Sequence, residues 1–113
     1  MDQNQLRIND IVVGEGREVV KGALLIVNYV GTLDDGTQFD SSYDRGKPFQ
    51  FVFGTGRVIK GWDLGLVGMR VGGTRSLFVP YELAYGERQI GAIIKPFSNL
   101  SFKVELLEVL TRE

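Results

Sequence analysis

Seven large aromatic side chains, Tyr29, Phe39, Phe49, Phe51, Trp62, Tyr85 and Phe102, are the residues of this chain most able to build a binding site. An isolated aromatic on a strand packs a core. Seven rings in 113 residues are more than a small sheet with one short helix encloses without leaving a cleft, so some of them are read as lining an apolar pocket. Asp40 and Arg45 flank the turn-like Ser41-Ser42-Tyr43-Asp44 and are placed to pair at the rim. The pair is equally well read as an ordinary ion pair that closes the loop.

The conventional reactive groups are missing. The sequence has no cysteine and no histidine, which excludes disulfides, Cys/His zinc sites, thiol redox chemistry and every His-based triad. The serines Ser41, Ser42, Ser76, Ser98 and Ser101 therefore have no imidazole to activate them. The acids in the middle of the chain are Asp34, Asp35, Asp40, Asp44 and Asp63, of which Asp34 and Asp35 are read as solvated turn formers, and Gly54-Thr55-Gly56-Arg57 lacks the Lys-Ser/Thr ending of a phosphate loop. What remains for an enzyme is chemistry through carboxylates, amines or tyrosines, or chemistry that needs no proton shuttle.

Those side chains need strands beneath them. From Leu100 to Leu106, Leu100, Phe102, Val104 and Leu106 alternate with Ser101, Lys103 and Glu105, the period of two that buries one face of a strand. Ala23 to Leu33 reads as a second strand, with Leu25, Val27 and Tyr29 sharing a face, and it ends at the hairpin signal Asp34-Asp35-Gly36. Thr37 to Ser41 and Phe49 to Phe53 are read as one edge strand broken by a bulge or loop between Tyr43 and Pro48. Arg75 to Val79 is a short strand stopped by Pro80, and Leu6 to Val13 a weaker one. The one helix expected lies around Ile59 to Val67, where Ile59, Trp62, Leu66 and Val67 share a face. Gly61 and Gly65 cost it about 1 kcal/mol each, so burial of that face must hold it. The expected fold is α+β: an antiparallel, curved half-barrel sheet of about five strands wrapped around one short helix, in a single domain spanning residues 1–113 with 1–5 flexible.

Thirteen basic and 14 acidic side chains leave a formal net charge of −1, without the basic footprint of a dedicated nucleic-acid binder. That charge balance also conflicts with a small β-barrel holding single-stranded nucleic acid on its aromatics. The longest apolar run, Ala23 to Val27, falls far short of the ~20 residues a membrane helix needs, and no signal-peptide core precedes it. The expected compartment is the cytoplasm, with no membrane partner.

Five segments together carry a family resemblance: YVGTLDDGTQFD (Tyr29 to Asp40), DSSYDRGKPFQF (Asp40 to Phe51), VIKGWDLGLVGMRVG (Val58 to Gly72), PYELAYG (Pro80 to Gly86) and FKVELLEV (Phe102 to Val109). In this order and at this spacing, covering Leu6 to Leu110, the chain resembles an FKBP-type peptidyl-prolyl cis-trans isomerase. The resemblance implies a proline-containing peptide bound between sheet and helix, and no cofactor or metal. Trp62 would be the platform under the proline ring, with Tyr29, Phe39, Phe49, Val58, Ile59 and Phe102 as walls. The Ile59 N–H and the Tyr85 hydroxyl would bond substrate carbonyls, Arg45 and Tyr29 would fix Asp40 beside the reacting imide, and Ile93 and Ile94 would come from a loop over the mouth. Macrolides such as tacrolimus and rapamycin are implied as inhibitors, and a monomer is expected.

These residues suit that reaction. Rotation about an X-Pro bond is opposed by amide resonance, a barrier of about 18–20 kcal/mol, and breaks no bond. The planar amide is the more dipolar form, so a pocket that strips water from its carbonyl favours the twisted state. Asp40 is read as acting electrostatically and not as a general base. The chain departs from the family where members often carry His-Pro-Gly, here Ile90-Gly91-Ala92, and where they often carry Pro, here Lys95. That bears on preference for the residue before proline and on macrolide affinity. A non-catalytic module holding a partner through the same pocket is the competing reading.

Overall fold

The computed structural model describes residues 5–111, and most of the expected flexible stretch 1–5 lies outside them. Six strands form one antiparallel sheet: β1 (Arg7–Val12), β2 (Leu24–Leu33), β3 (Gln38–Ser41), β4 (Phe49–Val52), β5 (Thr74–Val79) and β6 (Leu100–Leu110). The order is β1-β5-β6-β2-β3, with β4 also paired to β2. β3 faces Val30 to Thr32 while β4 faces Leu24 to Val27, so the two follow one another along a single edge of β2. The sheet thus has five positions, the last filled by one interrupted strand, as the alternation around Tyr43 to Pro48 predicts.

The interruption is itself helical. Ser41 caps a one-turn helix, α1 (Ser42–Arg45), by accepting the Asp44 N–H at 3.3 Å, and Gly46 ends it at φ 75°. A second helix, α2 (Lys60–Gly65), lies across the sheet, and a 3₁₀ turn covers Tyr81–Leu83. The expectation of one helix is therefore corrected to two short ones. The expected extent, around Ile59 to Val67, is corrected too: α2 stops at Gly65, and Val67, expected on the buried face, is 61% exposed. Gly68 at φ 81° turns the chain away, and the guanidinium of Arg75 donates to the carbonyls of Gly65 (2.9 Å) and Val67 (2.8 Å), filling acceptors that another helical turn would have used.

β2 and β6 run side by side along their whole length and carry the core. Leu25, Val27 and Tyr29 on β2 are buried with Leu100, Phe102, Val104 and Leu106 on β6, against Trp62 and Leu66 from α2. A bulge at Leu107, where Ile26 faces Glu108 but Val27 faces Leu106, shifts the phase so that Val109 is the next buried residue. The hairpin after β2 closes as expected. Gly36 stands at φ 87°, the Gly36 N–H donates to the Leu33 carbonyl, and Asp35 accepts the Thr37 N–H at 2.9 Å.

Candidate active site

The cleft lies between α2 and the concave face of the sheet, and Trp62 is its floor. α2 approaches the sheet closely because Gly61 and Gly65 carry no side chains: a Cβ at Gly61 would stand 2.4 Å from Val79 Cγ1, and one at Gly65 2.9 Å from Leu77 Cδ2. These two glycines weaken the helix and let it dock. The indole is 4% exposed and meets Tyr29 and Phe102 edge to face, with centroids 5.0 and 5.3 Å away. Phe51 and Phe49 complete the ring around it at 5.5 and 6.1 Å. Its Nε1 is buried without a hydrogen-bond partner among the described residues, so packing alone holds the ring.

Two polar devices shape the walls. Asp63, one residue after Trp62, accepts the N–H groups of Gly54 (2.9 Å) and Gly56 (3.0 Å) and so ties the loop that carries Arg57, Val58 and Ile59 to the helix. On the sheet side the fully buried Ser42 accepts the Tyr29 N–H at 2.8 Å and donates to Asn28 Oδ1 at 2.8 Å, which seats α1 against β2. α1 in turn brings Arg45 back over β3. Arg45 Nη1 donates to Asp40 Oδ1, the Tyr29 hydroxyl donates to Asp40 Oδ2, and the Ser41 N–H adds a bond to Asp40 Oδ1 at 2.8 Å. Burial, and then the bond to Asp40, raise the Tyr29 hydroxyl above its ordinary pKa of 10.0.

The resulting cleft has a volume of about 170 Å³. Tyr29, Phe39, Phe49, Trp62 and Phe102 supply its aromatic surface, Val58 and Ile59 its aliphatic wall, and Asp40, Tyr85 and Arg57 its polar groups. Ile93 and Ile94 stand apart from it. They line an adjoining cavity of about 290 Å³ that shares Phe39, Asp40 and Tyr85, closed by a bridge in which Ile90 and Ile94 exchange backbone hydrogen bonds. Of the two, Ile94 is buried and Ile93 is 47% exposed. Arg45 borders the cleft through its bonds to Asp40 and Tyr29. The cleft thus unites nine of the residues singled out from sequence (Tyr29, Phe39, Asp40, Phe49, Val58, Ile59, Trp62, Tyr85, Phe102) and leaves three beside it.

Arg57 is the wall residue the sequence reading missed, although it directly precedes Val58 and Ile59. Ser42 and Asp63, given no role from the sequence, position Tyr29 and the Arg57–Ile59 loop. Neither the Ile59 N–H nor the Tyr85 hydroxyl has a hydrogen-bond partner among the described residues, and both residues line the cleft.

A curved antiparallel sheet holding an apolar, aromatic-walled cleft against a short helix defines a half-barrel with an apolar binding cleft. The FKBP-type peptidyl-prolyl cis-trans isomerase family profile matches residues 15–107. An "FK506-binding protein" of Neisseria meningitidis serogroup A is 50% identical over 104 residues, covering 92% of this chain and 95% of that one. The chloroplastic "Peptidyl-prolyl cis-trans isomerase FKBP13" of Arabidopsis thaliana is 50% identical over 109 residues, covering 87% of this chain and 52% of its own length. The crystal structure of AtFKBP13 superimposes with a TM-score of 0.87 at 48% identity, covering 92% of each chain. The chain belongs to the FKBP-type family and is a peptidyl-prolyl cis-trans isomerase.

Proposed function

We propose that the cleft accelerates X-Pro rotation in proline-containing peptides and unfolded proteins by binding the proline ring over Trp62 and stripping water from the imide carbonyl. The observation that carries this reading is the arrangement at the mouth, where Asp40 is held by Arg45 and Tyr29 while the Ile59 N–H and the Tyr85 hydroxyl stay unpartnered. The two free donors fix the carbonyls flanking the reacting bond and hold the peptide close to the twisted geometry. Phe39, Phe49 and Phe102 exclude water, so the planar, more dipolar amide loses more than the twisted one. Asp40 contributes a fixed negative field beside the imide. A barrier lowered by about 8 kcal/mol corresponds to roughly a million-fold in rate, divided among these groups.

The same apolar cleft, with Ile93 and Ile94 beside it, suits a macrolide of the tacrolimus or rapamycin type, and its lining favours that binding. The protein acts as a monomer in the cytoplasm. No described helix is long and apolar enough to cross a membrane.

Exchange NMR on a short X-Pro peptide with micromolar protein tests the catalytic reading. Accelerated cis-trans exchange, abolished by equimolar rapamycin, is expected. Line broadening from binding with no change in the exchange rate would assign the cleft to a non-catalytic module.

A further inference from the structure

Among the described residues Arg57 is the one cation lining the cleft, and nothing in its role as a wall explains its charge. It is exposed and forms no ion pair among the described residues, whereas Arg45, Arg70 and Arg75 each have a carboxylate partner. Its position is fixed by its neighbours. The loop on which it stands is tied down by the Gly54 and Gly56 N–H bonds to Asp63, and it lines both the cleft and a groove of about 400 Å³ that continues along Phe49, Gln50, Phe51 and Val52 of β4.

The charge lining the cavities around it is one-sided, and the nearby Asp63 carboxylate is engaged by the Gly54 and Gly56 N–H groups. Three cavities meet at Phe49: the cleft, the groove along β4, and a hollow lined by Arg45, Lys47, Pro48 and Gln50. Between them they present three cations, Arg45, Lys47 and Arg57, and one acid, Asp40, which already receives Arg45 and the Tyr29 hydroxyl. The cavity at Leu33 and Phe97, toward the other end of β2 from the residues that face β4, is lined instead by Asp34 and Asp35. A chain with a net charge of −1 therefore turns a positive face to any peptide leaving the cleft past Phe49.

We propose that Arg57 is a specificity-determining residue that selects peptides carrying a carboxylate side chain next to the isomerised proline. This rests on the isomerase reading of the cleft and deepens it by naming the substrate class. The guanidinium offers a planar fork of donors with no competing partner, and a carboxylate is the group that matches it bidentately. Because the site is exposed, the preference is modest: pairs of this kind contribute about 0.2–1 kcal/mol, or a preference of about 1.4- to 5-fold. Screening by salt weakens it further.

The test is exchange NMR on paired peptides with Glu or Gln placed in turn at the positions flanking proline, in about 10 mM and 500 mM salt. At one flanking position or more, kcat/KM is expected to favour Glu over Gln by about threefold at low salt and to approach parity at high salt. Arg57→Gln should bring the low-salt ratio to one, and Arg57→Glu should invert it. Equal rates for Glu and Gln peptides at every position, or a Glu preference that survives Arg57→Gln, would overturn the assignment while the Gln peptides still report an active isomerase. No acceleration of any peptide would overturn the isomerase reading, and this inference with it.

Discussion

The guanidinium of Arg45 donates to the hydroxyl of Tyr29 at 3.2 Å, so the two groups that grip Asp40 from opposite sides also grip one another. Three residues from β2, β3 and α1 thereby close a ring at the mouth of the cleft. Such a ring fixes the direction of the Asp40 carboxylate, and its members should not act independently. Asp40→Ala is expected to lower kcat/KM by about tenfold, at ~1.4 kcal/mol per decade, and Tyr29→Phe by less. The double variant should lose clearly less than the sum of the two losses. Unfolding by urea should change by less than about 1 kcal/mol in Asp40→Ala, because the ion pair is partly exposed. Unchanged turnover in Asp40→Ala would show that the ring is only structural.

Activity should be flat between about pH 5.5 and 8, because the chain has no histidine or cysteine and the Tyr29 hydroxyl titrates above its ordinary 10.0. Stability should also respond at alkaline pH. Burial raises Tyr29 in the folded protein, and burial with the bond to Glu105 raises Tyr43. A raised folded pKa means that the native state holds its proton more tightly than the unfolded chain. The associated stability is complete below pH 10 and is lost as pH rises through the folded values. Chemical denaturation at pH 9 and pH 11 should show this drop, and Tyr29→Phe should reduce it. A fall in stability already present between pH 7 and 9 would contradict the assignment.

How much of this was legible in the sequence follows from how local each cause is. The strand faces of β2 and β6 could be read because alternation of Leu25, Val27 and Tyr29, or of Leu100, Phe102, Val104 and Leu106, is written in neighbouring residues. The aromatic lining could be read for the same reason, aided by the family motifs. The end of α2 could not. The periodicity of Ile59, Trp62, Leu66 and Val67 continues past Gly65, but the helix is stopped by Gly68 and by the side chain of Arg75, which reaches it from β5. Arg57 was overlooked because an exposed charge has no period. Its meaning comes from the cavities it borders and from the lack of an ion-pair partner among the described residues.

Phe39 keeps its place only because Gly31 stands behind it. A Cβ at Gly31 would lie 2.5 Å from Phe39 Cζ and 2.9 Å from Cε2, so Gly31→Ala must push the ring out of its edge-to-face contact with Phe102 at 5.7 Å. The ring stands at the mouth and has room to move, so the expected loss falls mainly on catalysis. Gly31→Ala should lower kcat/KM toward that of Phe39→Ala, while unfolding free energy falls by no more than about 1–3 kcal/mol. The double variant Gly31→Ala/Phe39→Ala should be no slower than Phe39→Ala alone. If Gly31→Ala turns over peptide at the original rate, Phe39 does not wall the reacting bond.

Arg75 links the edge of the sheet to the helix that carries Trp62. Its side chain is 7% exposed, and it bonds to Asp10 on β1 through Nε at 2.6 Å while Nη1 reaches the carbonyls of Gly65 and Val67. Removing the guanidinium leaves two carbonyls at the end of α2 without their donor, and frees β1 from the ion pair that ties it to β5. Removing Asp10 is milder, since its carboxylate is 38% exposed and Arg75 keeps both carbonyls. Arg75→Met is therefore expected to cost about 3 kcal/mol, in the range of broken buried pairs, and Asp10→Asn about 1 kcal/mol. Urea denaturation gives both values. Trp62 fluorescence separates the two further: because the only tryptophan sits on α2, loosening that helix in Arg75→Met should shift its emission to the red before the global transition, whereas Asp10→Asn should leave the native spectrum unaltered. Equal costs for the two substitutions would mean that the pair with Asp10, and not the cap on α2, is what Arg75 contributes.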